Sequence, residues 1–288
     1  MTSNAMTSTH FALLDYDGFV CKSFFAAMAR GEINDAENVL LELTNIAIQK
    51  AKDFFETDDV EVFKFMSGHS WKKDLYPEYK AKRKRNAYIR DFRDYTLASQ
   101  PDIFRPERLE ADELIVLMHD ELVEAGKQVI VFSDDKDLKY YSKLHCGINV
   151  EQEIEPTLTN NELYVQLLAG DKEDCITGIP KVGSKTAVKL LENEYTIEKV
   201  IQIYKEKEID LDECIKQLVL TIPMAKQFND NPYDMYTAYS LVVSRQGNGE
   251  ANNNDAIDRS IEGLVKYVSN KVTEVYTDAK GLHRLKRL

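Results

Sequence analysis

Carboxylates recur in this sequence where they could do chemistry. Asp15 and Asp17 follow the apolar run FALL, EADE fills 110–113, DDKD fills 134–137, and GDKED fills 170–174. Any one group fits a solvated acidic surface. Their positions suggest more. Asp15 closes an apolar run, and Glu110 and Asp112 stand just before LIVLM, at the expected start of a helix. Asp135 and Asp137 directly follow VIVF, and Asp171 and Asp174 precede a Gly-Pro turn. Carboxylates gathered in one crevice repel one another unless cations join them. Two metal ions about 4 Å apart can activate a water and stabilise the leaving oxygen of a phosphodiester. The competing account is a set of acids placed at helix starts by the helix dipole.

Other chemistries find less support. Cys21, Cys146, Cys175 and Cys214 have neither zinc-site spacing nor a disulfide framework. The five histidines do not pair at metal-ligand spacing. A metal here is therefore expected on carboxylates, which suits Mg²⁺ or Mn²⁺. No Ser-His-Asp arrangement, Walker A loop or dinucleotide fingerprint is present.

A basic strip lies between the carboxylate groups. Residues 72–94 carry nine Lys/Arg against four Asp/Glu, although the whole chain has a formal net charge of −12. Tyr79, Lys80, Lys82, Arg83, Lys84 and Arg85 crowd within it. Lys and Arg neutralise phosphates, Tyr stacks on bases, and Lys80 could stabilise charge on a transferring phosphate. In GIPKVGSKTAVKLL, Gly178 and Gly183 allow close backbone approach, and Lys185 falls in the first turn of a helix. Backbone N–H groups at such a start bind phosphate without reading sequence.

The elements that must position these residues alternate in type. Strands are expected at 11–15, 60–66 and 127–132. A helix is expected over 34–54, and another from about 110 to a stop at Gly126. This pattern predicts an α/β fold with a mostly parallel sheet and an active site at the carboxyl ends of its strands. From about 161 helical segments take over, broken by TGIPKVG, FNDNPYD and RQGNGEANNND. The expected domains are therefore 11–160 and 161–288. At 43% hydrophobic and 30% charged, the composition is that of a globular protein. No run of 18 apolar residues marks a membrane span, and no signal peptide is expected; the small, polar opening MTSNAMTSTH is left out of the fold reading. A cytoplasmic location follows as the expectation.

The motifs resemble those of the 5′-nuclease, or flap endonuclease, family, which includes the 5′-nuclease domain of bacterial DNA polymerase I and phage 5′→3′ exonucleases. GDKEDCITGIPKVGSKTA is similar to the block GDxSDNIPGVPGIGxKTA at every spacing. EADE resembles EADD, SDDKDL resembles TGDKDM, YPEYKAKR resembles YKxxR, and LLDYDG resembles the family's first strand. SWKKDLYPEYK is most like the phage enzymes called ribonuclease H, and a host cytoplasm would follow for a phage-encoded chain.

The resemblance implies a PIN-like sheet with a helical arch at about 80–100 and a helix-hairpin-helix at 173–191. Asp15, Asp112 and Asp135, with Glu110 close by, would hold a first metal. Asp137, Asp171 and Asp174 would serve a second, and Glu113 replaces a family Asp. Lys80 and Arg83 would contact the scissile phosphate. Tyr79, Lys82, Lys84, Arg85, Gly178, Gly183 and Lys185 would contact DNA, with a K⁺ ion at the hairpin carbonyls. There is one departure. The family places a metal-binding Asp after the second strand, whereas no acid occurs here from Val62 to Lys73, and Ser67 or His69 stands in that place. Either Asp17 compensates, or the first metal binds more weakly.

The implied activity is a Mg²⁺- or Mn²⁺-dependent, structure-selective 5′-nuclease. It would act on 5′ flaps, 5′ ends and RNA/DNA hybrids, alongside replication proteins and away from membranes. The alternative is a branched-DNA-binding protein with weak or no catalysis. A PIN-like RNA nuclease ranks third, because it normally lacks the helix-hairpin-helix.

Overall fold

The computed structural model describes residues 8–83, 86–105, 108–141, 144–148, 155–156, 161–222, 262–266, 268–273 and 276. Lys84, Arg85 and the loop expected at 245–255 lie outside them. The described residues fall into two compact units. One holds those up to Trp71 and those from 86 to 156; the other holds 72–83, 161–222 and 262–276.

The first unit is built on a sheet. Its strands are β1 (His10–Asp15), β2 (Val60–Phe65), β3 (Ile103–Phe104), β4 (Gln128–Phe132), β5 (Leu144–Cys146) and β6 (Glu155–Pro156). The spatial order is β3-β2-β1-β4-β5-β6; the first five are parallel, and β6 pairs antiparallel with β5. Phe11 to Leu14 of β1 are wholly buried, as expected of a central parallel strand covered on both faces.

Helices supply that cover. They are α1 (Tyr16–Ala29), α2 (Ala36–Phe55), α4 (Ala87–Ser99), α5 (Ala111–Glu124) and the short α6 (Lys136–Tyr141). Between β2 and α4 lies α3 (Trp71–Leu75). The run Leu114–Met118 of α5 is buried throughout, and Gly126, at φ +74°, follows the helix end. Leu14, Phe19, Met66, Ile130 and Phe132 share one core cluster.

Register places the site. Asp15 pairs with Phe65, and Leu14 pairs with Phe132, so β1, β2 and β4 end level with one another. The strand order reverses between β1 and β4, and the crevice at such a switch is where open α/β sheets bind ligands.

The second unit is helical: α7 (Asn161–Ala169), α8 (Ser184–Leu191), α9 (Ile197–Glu206) and α10 (Leu211–Thr221). Leu168, Leu191, Val200, Ile201 and Leu218 are fully buried, and Tyr204 donates to the Leu167 carbonyl at 2.7 Å. Residues 172–175 form a turn, so helix starts only at Ser184 within the stretch expected as helix-hairpin-helix. Two helices do flank the hairpin, but the first is α7. No described helix is long and apolar enough to cross a membrane.

Candidate active site

In the first unit, two serines just beyond the strands link the Asp15 side chain to the Asp135 backbone and Asp17 to the start of α5. Ser133 follows β4, and its hydroxyl donates to Oδ2 of Asp15 at 2.6 Å. The Ser133 hydroxyl oxygen accepts the backbone N–H of Asp135 at 2.9 Å. Burial pushes the Asp15 carboxyl up to about 7, and the charges of Asp17 and Asp135 add to the rise. The Ser133 hydroxyl and a hydrogen bond from the Gly18 backbone oppose it. Asp135 in turn accepts the Asp137 N–H at 2.9 Å, which starts α6.

Ser67 stands just beyond β2, where the family would have an acid. Its N–H donates to Oδ2 of Asp17 at 2.7 Å, and its hydroxyl accepts the Ala111 N–H at 3.0 Å, at the start of α5. Arg93 of α4 closes this corner. Its Nε donates to Oδ1 of Asp17 at 2.7 Å, and its Nη2 donates to the Ser67 carbonyl. Asp17 thus lies beside Ser67, engaged by an arginine. His69 is exposed.

Asp112 lies in the first turn of α5, half-buried, and accepts the Glu113 N–H at 2.9 Å. Glu113, also expected at the metal, lies buried in the first turn of α5. It is 1% exposed and accepts the Trp71 indole N–H at 3.0 and 3.1 Å and the Glu110 N–H at 3.2 Å. Trp71 is itself fully buried, and a carboxylate is what satisfies its buried donor.

The second unit holds a separate constellation. Asp171 shapes the turn, accepting the Glu173 N–H at 2.8 Å. Asp174 meets the two cations proposed for the phosphate. Arg83 Nη2 donates to Oδ1, Lys80 Nζ lies 3.8 Å from Oδ2, and the Tyr79 hydroxyl donates to Oδ2 at 3.3 Å. The Lys80 N–H also donates to the Asp174 carbonyl at 2.9 Å. Tyr79 is buried with Ile176 and Leu220, so its expected base-stacking face is used in packing. Lys82 and Lys185 are exposed, the latter in the first turn of α8.

The two glycines differ. A Cβ at Gly178 would strike the backbone of Ala169 and Gly170, so its close approach is to this chain. At Gly183, before α8, a Cβ would meet nothing within 4 Å.

Among the described residues no three His, Cys, Asp or Glu side chains are already arranged around one ion. The donors nevertheless fit a hard divalent cation. They are carboxylate oxygens, and burial, with the charges of Asp17 and Asp135 adding to it, raises the Asp15 carboxyl toward a protonated state that a cation would relieve. Ser133 and Arg93 were not legible as participants. The only trace of Ser133 is its place directly after an apolar strand, and Arg93 sits 76 residues from Asp17 in a strip whose other cations are expected at phosphates.

The model of the 5′-3′ exonuclease, N-terminal resolvase-like domain, matches residues 10–164. The DNA polymerase I of Rhizobium leguminosarum is 27% identical over 246 residues, covering 77% of this chain and 24% of that protein. The chain therefore spans less than a quarter of that polymerase. The 5′-3′ exonuclease of Mycoplasmopsis pulmonis is 26% identical over 223 residues, covering 69% of this chain and 72% of that one. The bacteriophage T5 D15 flap endonuclease, crystallised as a pseudo-enzyme-product complex with DNA and metal ions, aligns with a TM-score of 0.54 and 12% identity. That alignment covers 93% of this chain and all of that one, and at this identity the likeness is one of fold.

Proposed function

This chain belongs to the 5′-3′ exonuclease family, carrying its N-terminal resolvase-like domain, and on that premise we propose that it is a divalent-metal-dependent, structure-selective 5′-nuclease. The observation that carries the reading is the pair Asp15 and Asp135, joined through Ser133 at the ends of neighbouring strands. Its substrates would be DNA with a 5′ flap or 5′ end and RNA/DNA hybrids, as in removal of primers and flaps at replication forks.

Asp15, Asp112 and Asp135, with Glu110, would hold one Mg²⁺ or Mn²⁺. Asp137, Asp171 and Asp174 would serve a second, partly through water. Divalent cations held there supply charge neutralisation on the phosphate and lower the pKa of an attacking water. The chain's own residues do the rest. Ser133 orients Asp15 and ties it to Asp135. Lys80 and Arg83 give the transferring phosphate two positive partners once they leave Asp174. Exposed Lys82, Lys185 and the backbone at Gly183 hold DNA phosphates without reading bases, and the hairpin carbonyls would take K⁺.

The test is a flap substrate labelled at its 5′ end, incubated with Mg²⁺, Mn²⁺ or EDTA, with the cut positions mapped. Metal-dependent cleavage at the junction or stepwise from the 5′ end is expected. Tight binding to the branch with no cleavage in either metal would instead leave a branched-DNA-binding protein.

A further inference from the structure

We propose that Arg93 is a positioning residue that gates Asp17, releasing it to the cation site only when a nucleic-acid phosphate takes the guanidinium. This rests on the nuclease reading above and assigns a residue that reading does not use.

Both oxygens of Asp17 are engaged in the free chain. Oδ1 accepts Arg93 Nε and Oδ2 accepts the Ser67 N–H, each at 2.7 Å. Arg93 holds the same corner a second time through the Ser67 carbonyl. The ion pair is largely sheltered, with 20% of the Arg93 side chain and 26% of the Asp17 side chain exposed. A charge-assisted bond in such a place is stronger than one at the open surface. Asp17 lies in the first turn of α1, only two residues after Asp15, where rotation of its side chain would aim it elsewhere.

What competes for Arg93 follows from its chemistry and place. A guanidinium fork matches a phosphate as well as a carboxylate. Arg93 lies on α4, near the end of the basic strip, with Arg90 exposed on the same helix. A phosphate bound there would free Asp17, whose carboxylate would then complete the set that lacks an acid at Ser67. Cation binding and DNA binding would reinforce each other, by the same factor in each direction.

The experiment is calorimetric titration of the full chain with Mn²⁺, without nucleic acid. Arg93→Gln should bind Mn²⁺ about tenfold more tightly than wild type, the scale on which supporting groups tune metal sites. Arg90→Gln removes the same charge from the same helix and should leave the affinity unchanged. Flap DNA blocked by phosphorothioates should tighten Mn²⁺ binding by wild type but not by Arg93→Gln. Equal affinity in wild type and Arg93→Gln, or an equal gain from Arg90→Gln, overturns the gate. If Arg93→Gln fails to fold, Arg93→Lys, which keeps the charge but loses the fork, should show a smaller gain in the same direction, and no gain there overturns the gate too. Flap cleavage by wild type without any gain sinks the gate alone. Absence of both Mn²⁺ binding and cleavage in wild type sinks the nuclease reading with it.

Discussion

Gly170 and Gly178 cross so closely that a Cβ on either would stand 2.5 or 2.4 Å from the other's backbone nitrogen. Both have positive φ, +73° and +64°. Gly178→Ala should therefore destabilise the second unit by about 1–2 kcal/mol from backbone strain alone, and by more from the collision. Gly183→Ala meets open space at ordinary φ and should leave the melting temperature unchanged. If the Gly183 backbone does approach a DNA phosphate, the same variant should weaken DNA binding. Thermal melts and affinities of both variants check the pair; equal melting of Gly178→Ala and wild type would deny the crossing.

The Asp15 carboxyl predicts a pH dependence. Its proton leaves near 3.8 when the chain is unfolded and at about 7 when it is folded. Between those values the folded chain holds more protons, so this stabilisation is full below the lower value and is lost as the pH rises through about 7. The metal-free protein should lose stability over that range, whereas Mn²⁺ affinity should climb as the proton becomes easier to displace. Ser133→Ala removes a bond that lowers the pKa, so both curves should move to higher pH. Melts in EDTA and Mn²⁺ titrations across the range would show it, and flat curves would remove Asp15 from the site.

How far the sequence discloses this arrangement depends on the range of the interactions. β1 and β4 are legible as apolar runs that meet a polar residue, and β2 as the Val- and Phe-rich segment VEVFKF. α1 is not, because it follows β1 without a turn, and Asp15 at its start makes no side-chain cap. β3, with two residues, and β5, with three, are too short to show a period. The acids are legible as a set, since strand and helix ends betray them. Their engagements are not: Asp174 meets Arg83 across 91 residues, and Ser133 meets Asp15 across 118. Glu113 shows the same limit, because its motif suggests a ligand while the buried Trp71 indole claims it.

Asp112→Asn and Asp135→Asn should each abolish cleavage and leave DNA binding largely intact. Each removes a charge from the cation site without touching a phosphate contact. Loss of one such stabiliser costs about 2.7–4 kcal/mol in the transition state, or a rate loss of about 10²–10³-fold. Glu113→Gln should behave differently. It keeps an acceptor for the Trp71 indole, so stability should fall little and cleavage should persist. Wild-type rates in either aspartate variant would refute the metal assignment.

Asp174 predicts an inversion between binding and turnover. It now holds Lys80 and Arg83, so Asp174→Asn should free both cations and raise DNA affinity in EDTA. The same change should lower cleavage. Lys80→Ala should lower turnover more than binding. Lys82→Ala should weaken binding and reduce the slope of its salt dependence by about 1. A salt series of rates and affinities separates these roles. Identical behaviour of Lys80→Ala and Lys82→Ala would reduce the segment to a generic basic face.

Ser67 allows the missing acid to be restored. Its hydroxyl already accepts the Ala111 N–H at the start of α5, and an aspartate there would keep that bond and meet the favourable end of the helix dipole. It would also set a second carboxylate beside Asp17, so Ser67→Asp should lower the stability of the metal-free protein, and added metal should reverse the loss. Wild type should cleave faster in Mn²⁺ than in Mg²⁺ at equal concentration, because Mn²⁺ tolerates an incomplete ligand set and gives up water more readily. Ser67→Asp should narrow that difference. Asp17→Asn should cut cleavage while leaving Mn²⁺ binding by the free protein near wild type, since Arg93 holds Asp17 there. If the two positions serve one vacancy, Ser67→Asp in the Asp17→Asn background should restore cleavage. Rates in both metals for wild type, the single variants and the double variant decide the matter. A double variant no better than Asp17→Asn would show that an acid at 67 does not reach the cation site.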